Sequence, residues 1–271
     1  MTEKSAKVRR IGAASAFIDA RVAAGRIAFP LSDLVKETGL SFTAAKNQLL
    51  RLGSQIVRVS RPQQFFLVVS PEHRLLGAPP VMSWLDDYFN WLGHPYYLAL
   101  QSAASVYGSN PQALQVAQVM TDAPRREIEM GRLRVRFFVK RRVEQTPTQA
   151  PQNAFAPIRV SIPEATAFDL VRYAPGIGGI GRAIETLAPL LSLMRVPELK
   201  QVLETENETA TAQRLGYIVE KAGKKALAKT IRDWLPSQLA LVSFTPSKTD
   251  QASAQVNQRW RIIDNSGDLA P

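Results

Sequence analysis

The chain has 271 residues, 45% hydrophobic and 21% charged, with a formal net charge of +11, two histidines and no cysteine. That composition supports a folded protein with a real core, long enough for two domains, and the missing cysteines exclude disulfides and thiolate metal sites. No apolar run follows the basic start and no stretch of about 18 apolar residues occurs, so a soluble, cytoplasmic protein without a signal peptide or a membrane span is expected.

The charge is uneven. Residues 1–75 hold 12 of the 34 Lys/Arg but only 5 of the 23 Asp/Glu. A basic excess concentrated at one end favours a polyanion partner.

In chain order, residues 5–24 carry Val8, Ile11, Phe17, Ile18 and Val22 on a helical rhythm that stops at Gly25. Ser32 is expected to cap a second helix, with Asp33 in its first turn, Leu34 and Val35 inward and Gly39 as the stop. Ser41 caps a third helix running to about Leu52, with Ala44, Ala45, Leu49 and Leu52 as its buried stripe. Ile56–Val59 and Phe65–Val69 then read as two strands joined at a tip over residues 61–64. Helix, Gly turn, helix and a two-stranded ribbon in this order are the sequence form of a winged helix-turn-helix, which makes duplex DNA the first partner to consider. The candidate contacts on the second helix of that motif are Ser41, Thr43, Lys46, Asn47 and Arg51. Lysine can donate to guanine and asparagine can pair with adenine, while hydroxyls commonly hold phosphates. Arg58, Arg61, Gln63 and Gln64 on the wing are the candidates for backbone or minor-groove contact.

Residues 71–80, with three prolines, read as a connector. Helices are expected over about 82–92 and 96–107, with Trp84, Phe89, Trp91, Tyr96 and Tyr97 as core aromatics and Asp86-Asp87 solvated on the opposite side. Strands follow at 115–121, near 126–129 and at 131–140. In the last, Arg132, Arg134 and Arg136 alternate with Leu133, Val135 and Phe137. With Lys140 and Arg141 this makes a cationic face suited to a polyanion or an acidic protein, or a solvated edge kept charged against sheet-to-sheet pairing. Residues 143–156 read as a loop and 158–161 as a short strand. Ser161 and Glu164 suit a capping box on a helix to about Tyr173, with Pro163 in its first turn. Further helices fit near 180–193, 197–204, 208–222 and 224–234, and strands at 239–244 and 256–263.

GIGGIG (residues 176–181) follows the end of a helix rather than a strand, and Arg182 rather than a phosphate-loop lysine comes next, so it reads as a linker. His94 before Pro95 reads as structural. With His73 and His94 alone, no cysteine and no carboxylate pair at useful spacing, no catalytic constellation and no cofactor site is visible. An enzyme is therefore disfavoured.

Four segments in the second part are matched in order by a known family. They are YYLALQSAASVYG (96–108), QVAQVMTD (115–122), GRLRVRFFVKR (131–141) and VSIPEATAFDLVRY (160–173). Tyr96-Tyr97 with Ser102-Ala103-Ala104, and the Pro163–Ala167 run with Asp169-Leu170, carry most of the match. The sequence resembles the AbiEi-type antitoxins of bacterial abortive-infection (type IV) toxin–antitoxin systems over roughly residues 30–235.

The resemblance implies an α+β protein in two parts: a winged helix-turn-helix over residues 1–75 and an antitoxin domain over 76–271. It implies a non-enzymatic repressor that binds repeats upstream of its own operon and neutralises a co-encoded nucleotidyltransferase-like toxin, by direct or indirect means. The DNA contacts would map onto Ser41–Arg51 and Arg58–Gln64. A solitary regulator with a ligand-sensing or protein-interaction C-terminal domain is the alternative, and binding as a dimer or as adjacent monomers stays open.

Overall fold

The computed structural model describes residues 12–109, 116–151, 156–246 and 255–265. Val8, Ile11, Gln115 and residues 152–155 of the expected loop lie outside them.

The N-terminal part opens with α1 (Ala13–Ala23), β1 (Ala28–Pro30), α2 (Leu31–Thr38), α3 (Phe42–Arg51), β2 (Ile56–Arg58) and β3 (Phe65–Val68). α2 starts at Leu31 with Pro30 in the cap position, so Ser32 lies inside the first turn rather than capping it. Proline suits this end because its missing N–H would have had no helical partner. Gly39, left-handed at φ 66°, ends α2 as expected. The Ser41 hydroxyl accepts from the Ala44 amide at 3.2 Å and caps α3.

β1 was not legible in the sequence. It pairs antiparallel with β3, which pairs with β2, giving a three-stranded sheet in the order β1-β3-β2. All four residues of β3 are buried, because both faces of this sheet are covered. Phe29, Phe66 and Val68 face the three helices with Phe17, Leu34 and Leu49. Ala28, Phe65 and Leu67 face the opposite way, against Trp84, Tyr88 and Phe89.

The second part continues with α4 (Leu85–Leu92), β4 (Tyr96–Leu98), α5 (Leu100–Val106), β5 (Val116–Thr121), β6 (Ile128–Met130), β7 (Leu133–Val139), β8 (Thr148–Gln149) and β9 (Val160–Ser161). The expected helix over 96–107 is corrected. Its first three residues are a central strand, pairing with β5 and, at Leu98, with Val160. Ala99 is extended and Leu100 turns at φ 54° into the short α5. An all-apolar Tyr-Tyr-Leu run fits either state, and tertiary pairing decides it. The six strands form one mixed sheet in the order β6-β7-β5-β4-β9-β8.

α6 (Pro163–Arg172), α7 (Gly179–Leu187), α8 (Val196–Glu206), α9 (Thr209–Lys221) and α10 (Lys225–Trp234) cover one face of that sheet. Pro163 takes the first helical position of α6 as expected, but the capping box is corrected. Ile162 is the cap, the Ser161 hydroxyl pairs with Thr166 Oγ1 at 2.7 Å, and Glu164 accepts from the Arg195 amide at 2.5 Å. The expected strand over 256–263 is two, β11 (Gln255–Asn257) and β12 (Ile262–Asp264), which pair antiparallel around a turn holding Arg261 at φ 51°. β10 (Val242–Ser243) joins them parallel to β12. Gly178 and Gly179, both at positive φ, lead from the end of α6 into α7, in keeping with the linker reading of GIGGIG.

Of the expected core aromatics, Trp84, Phe89, Tyr96 and Tyr97 are buried, whereas Trp91 is 38% exposed. Its ring caps the outside of the cluster beside Phe65 and Tyr88. Asp86 is half-buried rather than solvated, because it accepts from the Tyr96 hydroxyl at 2.8 Å.

Candidate nucleic-acid interface

α3 presents its outer face to solvent because its inner face is fixed twice over. Ala45 and Leu49 pack into the helical cluster. Gln48 Oε1 accepts from the Ala14 amide at 2.9 Å and so satisfies one of the free donors at the start of α1. α1 is in turn tied to α2 by Arg21, whose buried guanidinium reaches Asp33 at 3.4 Å and Glu37 at 3.3 Å and lies over the rings of Phe17 and Phe29. Arg21 was not singled out in the sequence, where it reads as one surface charge among many.

With the inner face anchored, Ser41, Thr43, Lys46, Asn47 and Arg51 are all exposed on the outside. Lys46, Arg58 and Gln64 line one groove of about 410 Å³ between α3 and the sheet, with Leu49, Leu50, Ile56 and Phe66. The structure therefore brings the helix candidates and two of the wing candidates to one side. Gln63 does not join them. Its side-chain oxygen accepts from Tyr88 and, at 2.7 Å, from Ser60, which turns it inward against α4. Arg61 borders a different groove of about 390 Å³ with Arg125 and Arg126.

The second cationic stretch divides. Arg134 and Arg136 are exposed on one face of β7, and Arg132 is exposed in the turn just before it. Arg134 pairs with Glu129 at 3.7 Å and Arg136 with Glu127 at 3.2 Å, so two of the three face cross-strand carboxylates. Arg141 is exposed and lines a polar pocket of about 240 Å³ with Arg142 and Arg172. Lys140 leaves the row altogether, because the same face of β7 runs under the helical layer. Its ammonium, 1% exposed, lies 3.0 Å from Asp169 Oδ1, 2.5 Å from Glu206 Oε1 and 3.0 Å from the Tyr97 hydroxyl. Tyr97 donates to Asp169 Oδ2 at 2.6 Å, and Thr146 and Arg172 close the network on Glu206. Burial raises the Glu206 carboxyl above its usual range against the pull of Lys140, and burial beside Asp169 holds the Tyr97 phenol firmly protonated.

Three of the four family-like segments supply this network: Tyr97, Lys140 and Asp169. The first two segments meet again where the Gln118 amide donates to Ser102 Oγ at 2.9 Å and the Gln118 side chain reaches Gln101 at 3.0 Å. His94 Nδ1 lies 2.9 Å from Asp122, just after β5. Among the described residues, no group of three His, Asp or Glu could hold a metal, and no helix is long and apolar enough to cross a membrane.

A crystal structure of the RV2827C protein from Mycobacterium tuberculosis is similar in fold, with a TM-score of 0.67 over 93% of this chain and 91% of that one at 15% identity. No curated protein sequence matches the chain. Residues 97–221 match the family model of the AbiEi antitoxin C-terminal domain. Tyr97, Lys140, Asp169 and Glu206, which build the buried ion network, all lie within the matched span.

Proposed function

We propose that the chain is a DNA-binding antitoxin that represses its own type IV toxin–antitoxin operon and neutralises a co-encoded nucleotidyltransferase-like toxin. In this reading residues 1–75 form a winged helix-turn-helix, with α3 as the recognition helix and the β2–β3 hairpin as the wing, and residues 76–271 are the antitoxin part. The observation that carries the DNA half is the exposed face of α3. Thr43, Lys46, Asn47 and Arg51 project outward from a helix with no acidic residue, and Arg58 sits across the groove from Lys46. Donors arranged on a helix held clear of its own core suit the edges and phosphates of a major groove. The toxin half is supported by the family match. The arginines of β7 are proposed to serve neutralisation, since they lie within the matched residues and away from α3.

The test is fluorescence anisotropy of the full chain with a duplex from its own upstream region and a scrambled duplex, at two salt concentrations. A native duplex bound about a thousandfold more tightly supports a sequence-specific repressor. Equal, steeply salt-dependent binding to both would refute operator recognition and leave only attraction to phosphates.

A further inference from the structure

α3 carries an aromatic side chain that lies largely in solvent. Phe42 is the first helical residue after the Ser41 cap, is 56% exposed, and packs into none of the hydrophobic clusters. At about 100° per residue the outer face of the helix resolves into two stripes. Phe42, Lys46 and Leu50 form one, and Thr43, Asn47 and Arg51 the other. Leu50, at 77% exposure, closes the first stripe at the far end, beside the groove with Arg58. The face is thus cationic and rich in hydrogen-bonding groups, with an aromatic ring at the N-terminal end.

Charge complementarity selects a polyanion for this face, and the ring selects what the polyanion must offer. In a recognition helix the N-terminal residues reach the base edges. Among the major-groove edges of the four bases, the apolar group is the C5 methyl of thymine. We propose that Phe42 contacts a thymine methyl group, so that the sequence preference of this chain includes a thymine read by burial rather than by hydrogen bonding. This rests on the DNA-binding reading above. The neighbouring Thr43 and Lys46 then lie over the adjoining backbone and base edge, and Leu50, two turns away, stays outside that contact.

The test uses the full chain and a duplex selected by it from a random pool. Each thymine of that duplex is replaced singly by uracil, which deletes the methyl group and keeps the O4 acceptor. One replacement is expected to weaken the wild-type chain about fourfold, the worth of one buried methyl group. Phe42→Ala should bind more weakly than wild type and be indifferent at that position, while Phe42→Leu keeps part of the sensitivity. Because Phe42 is 56% exposed and outside the hydrophobic core, thermal unfolding of both variants should stay close to wild type.

The proposal is overturned if Phe42→Ala binds as tightly as wild type, or if every uracil duplex affects the two alike. It is also overturned if the wild type sediments as a dimer without DNA and Phe42→Ala as a monomer, since the ring would then serve a second copy of the chain. If the wild type selects no sequence at all, operator recognition fails and the thymine contact falls with it. A selective wild type with uniform uracil responses sinks the thymine contact alone.

Discussion

Replacing Lys140 by methionine tests whether this residue belongs to the cationic surface, as strand alternation suggests, or to the core. Its ammonium touches Asp169 at 3.0 Å and Glu206 at 2.5 Å, and all three groups are essentially inaccessible. At an effective dielectric of about 20, each contact is worth roughly 5–7 kcal/mol of attraction, which desolvation of the three charges largely offsets. The intact network is therefore close to neutral, but removing the cation is not. Among the side chains of the described residues, Asp169 would keep the Tyr97 hydroxyl, and Glu206 would keep Arg172 at 3.5 Å and Thr146 at 3.3 Å. An uncompensated buried charge costs about 3–5 kcal/mol.

Urea denaturation of the full chain at neutral pH should show a loss of that size in Lys140→Met, and a large part should return in Lys140→Met/Asp169→Asn. Burial already raises the Glu206 carboxyl, and without Lys140 nothing comparable opposes it. A carboxyl raised in the folded state contributes stability that is present below its unfolded pKa, about 4.3, and is lost as pH rises through the folded value. Lys140→Met should therefore recover stability on acidification toward that range. A variant that unfolds within about 1 kcal/mol of wild type yet loses affinity for polyanions would refute the reasoning and return Lys140 to the surface row.

Four further outcomes follow from individual contacts. Gly216 lies under the fully buried Trp260, and a Cβ there would sit 2.0 Å from the ring, so Gly216→Ala should displace the indole. The loss should resemble truncation of a buried Trp, about 3–5 kcal/mol, with a red shift in tryptophan emission; an unshifted spectrum would show that the helix moves instead. Burial raises the Glu164 carboxyl, with the Arg195 amide opposing, so stability at this site declines as pH rises above about 4.5. Glu164→Gln keeps an acceptor, should flatten that decline and should cost little at pH 7, which denaturation across pH 4–7 can check. Lys46→Ala should weaken operator binding by about 1–3 kcal/mol if it contacts a base, or lower the salt slope by about one if it contacts a phosphate. Arg132, Arg134 and Arg136 changed together to Gln should abolish protection from the toxin while operator affinity persists, and full protection in that variant would end the idea.

The elements set by local signals were legible. The Ser41 cap, the Gly39 stop and the helical rhythm of α8 to α10 depend on neighbours in sequence, and each emerges within a residue or two of its expected place. What failed depends on partners far along the chain. β1 exists because Ala28–Pro30 find Phe65–Leu67 across the sheet, a pairing no local pattern announces. Tyr96–Leu98 look like the start of a helix until β5 and β9 flank them. Lys140, one residue past β7, keeps the alternation of Arg134 and Arg136, but that face passes from solvent to the underside of the helices along its length, which periodicity alone does not reveal. The exposure of Phe42 has no strong local signal, since an apolar residue on an amphipathic helix usually faces inward; its position, one residue after the cap and four before Lys46, places it at the border of the outer face.

Tyr96 and Tyr97 show how the two parts of the molecule are joined. Adjacent on β4, they point to opposite faces of the six-stranded sheet. Tyr96 stacks on Phe89 at 4.6 Å, in the aromatic cluster that also receives Phe65 and Leu67 from the N-terminal sheet. Tyr97 enters the network of Lys140 and Asp169 beneath the helices. The N-terminal sheet is therefore not tethered by a linker alone. Ala28, Val59, Phe65 and Leu67 share a core with Trp84, Tyr88 and the central strands. The orientation of α3 is then set through a core shared with the six-stranded sheet, and surface apolar enough to form a core would be stripped from either half cut away from the other.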